Sequence, residues 1–243
     1  MSLAYPTGSI AGFNPSHIAA ANCHFSGVAQ TGGFLDLTAG LRGVAAGTPA
    51  SLINGTLGPA TTYTTTSDIT SFANKPTTAD QGYTFGCIFI LTDVTANTRF
   101  LISNSNSGSG HSLAMTSGGG LNLALAANGV STVNSGFIPT VNTPYFFAGS
   151  LWNLGATGRT ANFVLTNLLT GQVKTAVGTQ GTIVSATAPT PGTYTIGNRN
   201  GQALLGSISA AMGASVANIG EQLPMSALVQ WAHDPWSFWY PNN

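Results

Sequence analysis

The chain has 243 residues, of which 43% are hydrophobic and only 5% are charged, with six basic and six acidic residues cancelling. Soluble domains carry roughly 25% charged residues, so this surface is built from Ser, Thr, Asn, Gln, Gly and exposed Ala. Arg42, Lys75, Arg99, Arg159, Lys174 and Arg199 are scattered and form no stripe able to neutralise phosphates, so nucleic acid is not an expected partner.

Residues 1–21 have neither a basic start nor a continuous apolar stretch, so no signal peptide is expected. Apolar runs reach about ten residues, too short for a membrane helix. In a product kept in the cytosol, Cys23 and Cys87 are expected to be free, buried thiols. A surface this neutral gives little colloidal repulsion, which suits a protein covered within an assembly better than one alone at high concentration.

Residues 1–30 have weak strand character and read as an N-terminal arm or first strands; residues 31–243 show no composition break and read as one domain. The run 83–92 (YTFGCIFILT) is apolar on both faces, which predicts a fully buried central strand. A strand at 99–103 and a Gly/Ser/Asn turn at 104–110 follow. Residues 111–115 and 121–127 predict a hairpin about the turn at 117–120 (SGGG). Further strands are expected at 144–152 and 161–166, with 167–172 turning back, then at 193–197 and 206–215. One helix is expected near the end. Pro224 sits near its first turn, Met225, Leu228, Val229 and Ala232 share spacing suited to one face, and Asp234-Pro235 stops it. Many short strands with little helix predict an all-β sandwich, and no long repeat points to a propeller or solenoid.

Acid–base chemistry has little to work with. Retaining glycosidases need two carboxyl groups about 5–5.5 Å apart. Here the one Glu, Glu221, and the Asp residues 36, 68, 80, 93 and 234 are isolated in sequence. Gly213-Ala214-Ser215 lacks the second Gly of a nucleophile elbow, and His17, His24, His111 and His233 have no evident Ser–Asp partner. Those histidines read as hydrogen-bonded structural residues. There is no C-x-x-C, H-x-x-x-H, EF-hand, P-loop or dinucleotide fingerprint, and adjacent Cys23 and His24 should point to different sides of a strand. No catalytic, cofactor-binding or metal-binding residue is predicted. Asn54-Gly55-Thr56 reads as a turn.

Aromatic residues concentrate at the end: Trp231, Trp236, Phe238, Trp239 and Tyr240. Trp236, Phe238, Trp239 and Tyr240 are the candidate interface, since Trp and Tyr dominate binding hot spots. The alternative, favoured for Trp231 and Trp236, is that the tail packs on its own sandwich. Trp152 ends a strand and is the candidate glycan-stacking residue, with a core or rim position as the plainer alternative.

Several segments in order carry a family resemblance. Residues 52–57 (LINGTL) look like an early strand and 83–92 like a central buried strand. Residues 144–151 (PYFFAGSL) sit where a "W-H-H-V-A-x-x-Y" strand falls, and 194–198 (YTIGN) with 206–209 (GSIS) resemble an "L-x-I-G … G-x-I-D-E-V" ending. Together they resemble the laminin-G/concanavalin A-like jelly roll over about residues 35–233. Residues 234–238 (DPWSF) are similar to the "D-P-W-x-x-F" tail on versions encoded in phage genomes.

The resemblance implies an antiparallel jelly-roll β-sandwich with one short C-terminal helix. It implies a non-enzymatic structural virion protein: a capsid decoration, head fibre or tail-associated component. Its partners would be its own copies, with a trimer favoured, and capsid or tail proteins, in a virion assembled in the host cytoplasm. A carbohydrate-binding module for host or surface attachment, with surface glycans as partners, is the alternative; a glycoside hydrolase is less expected. The family's acidic pair is Ser209 and Ala210 here. Members that hold calcium use an Asp with carbonyl oxygens, and no Asp here matches, so calcium is left open and not predicted.

Overall fold

The computed structural model describes residues 23–73, 75, 82–94, 98–104, 110–116, 122–127, 131–153, 159–180, 193–215 and 223–239. In chain order the strands are β1 (Cys23–Gln30), β2 (Gly33–Asp36), β3 (Leu41–Arg42), β4 (Val44–Ala46), β5 (Ala50–Asn54), β6 (Gly58–Tyr63), β7 (Ile69–Phe72), β8 (Gly82–Leu91), β9 (Arg99–Ser103), β10 (His111–Thr116), β11 (Asn122–Ala127), β12 (Ser131–Asn134), β13 (Pro144–Asn153), β14 (Arg159–Asn167), β15 (Gln172–Gln180), β16 (Tyr194–Ile196) and β17 (Gly206–Ser215). Helix α1 (Met225–His233) and a 3-10 turn (Pro235–Phe238) follow.

The strands form two antiparallel sheets. The larger has ten strands, with the path β15-β14-β13-β8-β17-β1-β2-β3. One side of β17 is divided: residues 206–208 pair with β6, which also holds β5, and residues 210–214 pair with β1. The smaller sheet runs β12-β11-β10-β9-β16-β7-β4. The fold is an all-β antiparallel jelly-roll sandwich with one short C-terminal helix.

Strand β8 shows why the run 83–92 is apolar throughout. Tyr83, Phe85, Cys87, Phe89 and Leu91 enter the core between the sheets, with Leu101, Ile102, Leu113 and Met115 of the smaller sheet. Ile88 and Ile90 point outward into a second core with Leu228, Ala232 and Trp239. Helix α1 and the tail therefore form a third layer on the outer face of the larger sheet. Fully burying such side chains contributes about 1.5–3 kcal/mol each.

The helix is placed by tertiary contacts. Pro224, its N-cap, has an extended backbone (φ −62, ψ 148) and gives no side-chain cap. Instead the Ser150 hydroxyl accepts from Leu223 N at 2.8 Å, Asn162 Nδ2 donates to Leu223 O at 2.8 Å, and Thr166 Oγ1 donates to Ala232 O at 2.9 Å. Trp231 lies against Phe146 (4.7 Å between ring centroids) and over Gly86, where a Cβ would overlap the indole.

The strands expected at 83–92, 99–103, 144–152, 161–166, 193–197 and 206–215 are present, as is the 111–127 hairpin, in which Leu113 pairs with Leu125. The helix and its stop at Asp234 are also present. Residues 52–57 are not one strand. β5 ends at Asn54, whose side-chain oxygen accepts from Thr56 N and Leu57 N at 2.8 and 3.0 Å, turning the chain into β6. Residues 23–30 form β1, between β17 and β2 in the larger sheet. Cys23 and Cys87 are free and buried, in the outer and inner cores respectively. His24 is the extra residue of a bulge between Cys23 and Phe25. No helix among the described residues is long and apolar enough to cross a membrane.

Candidate functional site

β3 and β4 belong to different sheets, yet Gly43 alone separates them. The chain turns this corner by laying Gly43 against the Thr70 methyl and the Phe72 ring, which a Cβ would overlap. Gly43 N donates to Phe34 O at 2.9 Å, tying the corner to β2. A cavity of about 210 Å³ opens beside it, between the edges of the two sheets. The β1–β2 turn contributes Gly32 and Gly33, both in left-handed backbone (φ 86 and 125) that favours glycine. Gly33 has open space where a side chain would stand.

Phe34, Ala45 and Pro49 give the cavity apolar walls, and Ser51, Thr61 and Thr70 bring hydroxyls from β5, β6 and β7. Ser51 Oγ and Thr61 Oγ1 are 3.0 Å apart, and Thr70 Oγ1 is 3.0 Å from the Tyr63 hydroxyl. No ionisable residue is among the described residues that line the cavity. Nearby, exposed Arg42 donates from Nη1 to Thr31 O at 3.3 Å. Such a wall suits a neutral ligand with many hydroxyl groups.

The described acidic residues are engaged elsewhere. Asp36, fully buried, accepts from the Lys75 ammonium, from Thr38 N at 3.1 Å and Oγ1 at 2.8 Å, and from Ser26 N at 3.3 Å. Asp68, also fully buried, joins the β4–β5 turn to the β6–β7 loop. It accepts from Thr48 N at 2.8 Å, Thr64 N at 2.7 Å and Thr65 N at 2.9 Å, and from the Thr64 and Thr65 hydroxyls at 3.2 and 2.9 Å. Burial pushes the Asp68 carboxyl up, but the backbone N–H groups of Thr48, Thr64 and Thr65 and the Thr65 hydroxyl outweigh it and hold the pKa at about 2. Asp93 pairs with Arg99 at 2.8 Å. Asp234 is the C-cap of α1. Asp80 and Glu221 lie outside the described residues. Among the described residues no three His, Cys, Asp or Glu side chains come together as a metal site.

His24 and His111 bracket Tyr83, edge-on at 6.0 Å and stacked at 5.2 Å, and all three are buried. His233 is exposed in the last turn of α1, and His17 lies outside the described residues.

The aromatic tail turns inward. Trp239 is 1% exposed and packs on Trp231 at 6.0 Å within the outer core, so its indole is covered by its own chain. Trp236 is half-buried against the same cluster. The Phe238 side chain and Tyr240 lie outside what the structure describes. Trp152 is half-buried on β13 against the outer core and does not line the cavity. The cavity itself escaped sequence reasoning. Its residues come from turns and five short strands, and its signal was limited to the glycines at 32, 33 and 43.

No protein-family model matches the sequence, and no curated protein does. Solved structures do match the fold. Domain 4 of AbnA, an extracellular GH43 arabinanase from Geobacillus stearothermophilus solved with arabinotriose, superimposes with a TM-score of 0.57 at 13% identity, over 87% of this chain and 98% of that one. The binding domain of botulinum neurotoxin serotype D gives 0.59 at 11% identity, over 91% of this chain and 52% of that one. A sialidase of Trypanosoma rangeli gives 0.51 at 8% identity, over 90% of this chain and 33% of that one. At such identities the likeness is one of fold, and what these proteins share with the present chain is the jelly-roll β-sandwich.

Proposed function

We propose that this domain is a non-catalytic binding module whose edge cavity takes a neutral saccharide unit. The observation that carries this is the lining: glycines leave the mouth open, three hydroxyl-bearing residues line it, and no charged residue is among its described lining. The arabinotriose complex of the fold neighbour supports the substrate class by analogy. The engagement of Asp36, Asp68 and Asp93 in local contacts supports the absence of catalysis. A glycan array followed by titration tests this. Ala45→Trp, which fills the cavity from an exposed position, should abolish binding and leave the melting temperature unchanged. Undiminished binding by Ala45→Trp and by the double variant Ser51→Ala/Thr61→Val refutes it.

A second reading has its own support. Leu41, Val44 and Ile53 are 60, 73 and 79% exposed on the short strands β3, β4 and β5, and Arg42 is the one charge in residues 41–54. Natural edge strands are usually guarded by charge, so these edges suit contact with further copies or other proteins. We propose that this face serves assembly, as in the capsid-decorating, head-fibre or tail-associated role that the 234–238 tail suggests. Val44→Lys with Ile53→Lys should convert a sedimenting oligomer to monomer. A wild-type chain that is monomeric at high concentration removes this reading.

A further inference from the structure

Among the described residues, Arg199 is a largely buried cation with no ion-pair partner. Its guanidinium lies over the Phe100 ring, 5.1 Å from the centroid, and the residue is 8% exposed. It belongs to neither ion pair, Lys75–Asp36 or Arg99–Asp93, and its Nε has no hydrogen-bond partner. Asn198, beside it in sequence and 3% exposed, donates from Nδ2 to Thr66 O at 2.7 Å, but its Oδ1 has no donor. Two adjacent residues thus leave one donor and one acceptor unmatched in a buried setting. Each orphaned polar atom leaves a desolvation cost unrecovered, and an unpaired buried charge leaves a larger one.

The loop that holds them is built rather than loose. Gly197 (φ 78) presses against the Tyr63 ring, and Asn200 and Leu205 hold positive φ of 52 and 33. Leu204 N donates to Gly197 O at 2.7 Å, Gln202 N to Arg199 O at 3.0 Å, and Phe100 N to Gln202 O at 3.2 Å. Arg99 Nη1 clamps Ala203 O at 3.1 Å. Backbone strain of this kind persists only where surrounding contacts enforce it, and it clusters at functional sites.

We propose that Arg199 and Asn198 form an oxyanion site separate from the edge cavity, and that its ligand is a sugar acid. The guanidinium fork matches a carboxylate through two parallel hydrogen bonds, and the Phe100 ring backs one face of the fork. A bare anion would leave Asn198 Oδ1 unmatched; a carboxylate bearing hydroxyl groups supplies the missing donor as well. The sugar part rests on the binding-module reading, whereas the oxyanion site stands on Arg199 alone.

Calorimetric titration of the full chain with glucuronate, glucose, acetate and inorganic phosphate tests it. Glucuronate should bind, acetate more weakly, and glucose should show no Arg199-dependent binding. Arg199→Lys keeps the charge but loses the fork and should weaken glucuronate by roughly 10- to 100-fold, the range set by one or two charge-assisted hydrogen bonds. Arg199→Met should abolish binding with a melting temperature at or above that of the parent chain. Binding that survives Ala45→Trp, weakens in Arg199→Lys and fails in Arg199→Met supports the separate site; the reverse pattern overturns it and leaves the cavity reading in place. Phosphate binding with glucuronate silent overturns the sugar-acid assignment. Silence from every anion overturns the site.

Discussion

Replacing Asp68 by Asn tests how the molecule holds its cavity. The carboxylate satisfies three backbone N–H groups and two hydroxyls across the β4–β5 turn and the β6–β7 loop, the segments that carry Pro49 and Thr70 to the cavity. An amide has one oxygen. Whichever way it is turned, its NH2 faces at least one of those N–H groups, stranding a donor at about 1–3 kcal/mol and weakening the rest. The loss should be about 3 kcal/mol at pH 7, a fall in Tm of roughly 6–12 °C for a domain of this size. The same residue sets an acid response. Its folded pKa, about 2, lies below the ordinary 3.8, so between these values the unfolded chain binds more protons and stability falls as pH falls. About 2 kcal/mol is present above pH 4 and is lost towards pH 2. Urea unfolding at pH 7, 4 and 2.5 should show that slope in the parent chain and a shallower one in Asp68→Asn. A variant within 0.5 kcal/mol of the parent, with an unchanged slope, would refute the reasoning.

Gly86→Ala should displace Trp231 from the outer face of β8 at a cost of about 1–3 kcal/mol, with a red-shifted tryptophan emission as the readout. Lys75→Met should strand the buried Asp36 carboxylate and cost about 3–5 kcal/mol, measured by denaturant titration. Burial pushes the Cys23 thiol up to about 12 and the Cys87 thiol well above its ordinary value. Both should resist a thiol reagent at pH 8 in the native chain and react at the rate of global unfolding. Reaction of either within seconds under native conditions would contradict their burial.

The legible parts of the fold were those whose pattern is set locally. Residues 83–92 carry apolar side chains on both faces because one layer lies on each side of β8. The helix was readable from Pro224 and Asp234-Pro235, which bound it by backbone chemistry. Strands β2 to β7 are two to six residues long, and their existence depends on partners distant in sequence, as when β6 joins β17 through Thr61 and Ile208. β15 (QVKTAVGTQ) was invisible for a different reason. It is an edge strand with Lys174 and Val177 in solvent, so no apolar face marks it. The inward turn of Trp239 could not be told from display by composition, since a hot-spot residue and a core residue are the same amino acid.

The same limit applies to charge. Counting bases finds six scattered residues and nothing more. The structure assigns structural work to most of the charged side chains it describes: Lys75 to Asp36, Arg99 to Asp93 and Ala203 O, Arg42 to Thr31 O, and Asp68 to a ring of donors. In a chain with so few ionisable groups, each buried one should have a counter-charge or a full set of hydrogen bonds, because the desolvation cost is otherwise unrecovered. Among the described residues Arg199 is buried without a counter-charge, and its Nε has no hydrogen-bond partner. Phe100 offsets part of that cost through its ring face, worth about 0.5–2 kcal/mol, which falls short of an ion's desolvation. A remaining deficit of this kind is what a bound anion would remove, and on the proposed reading charge-dependent recognition belongs to the β16–β17 loop rather than to the cavity.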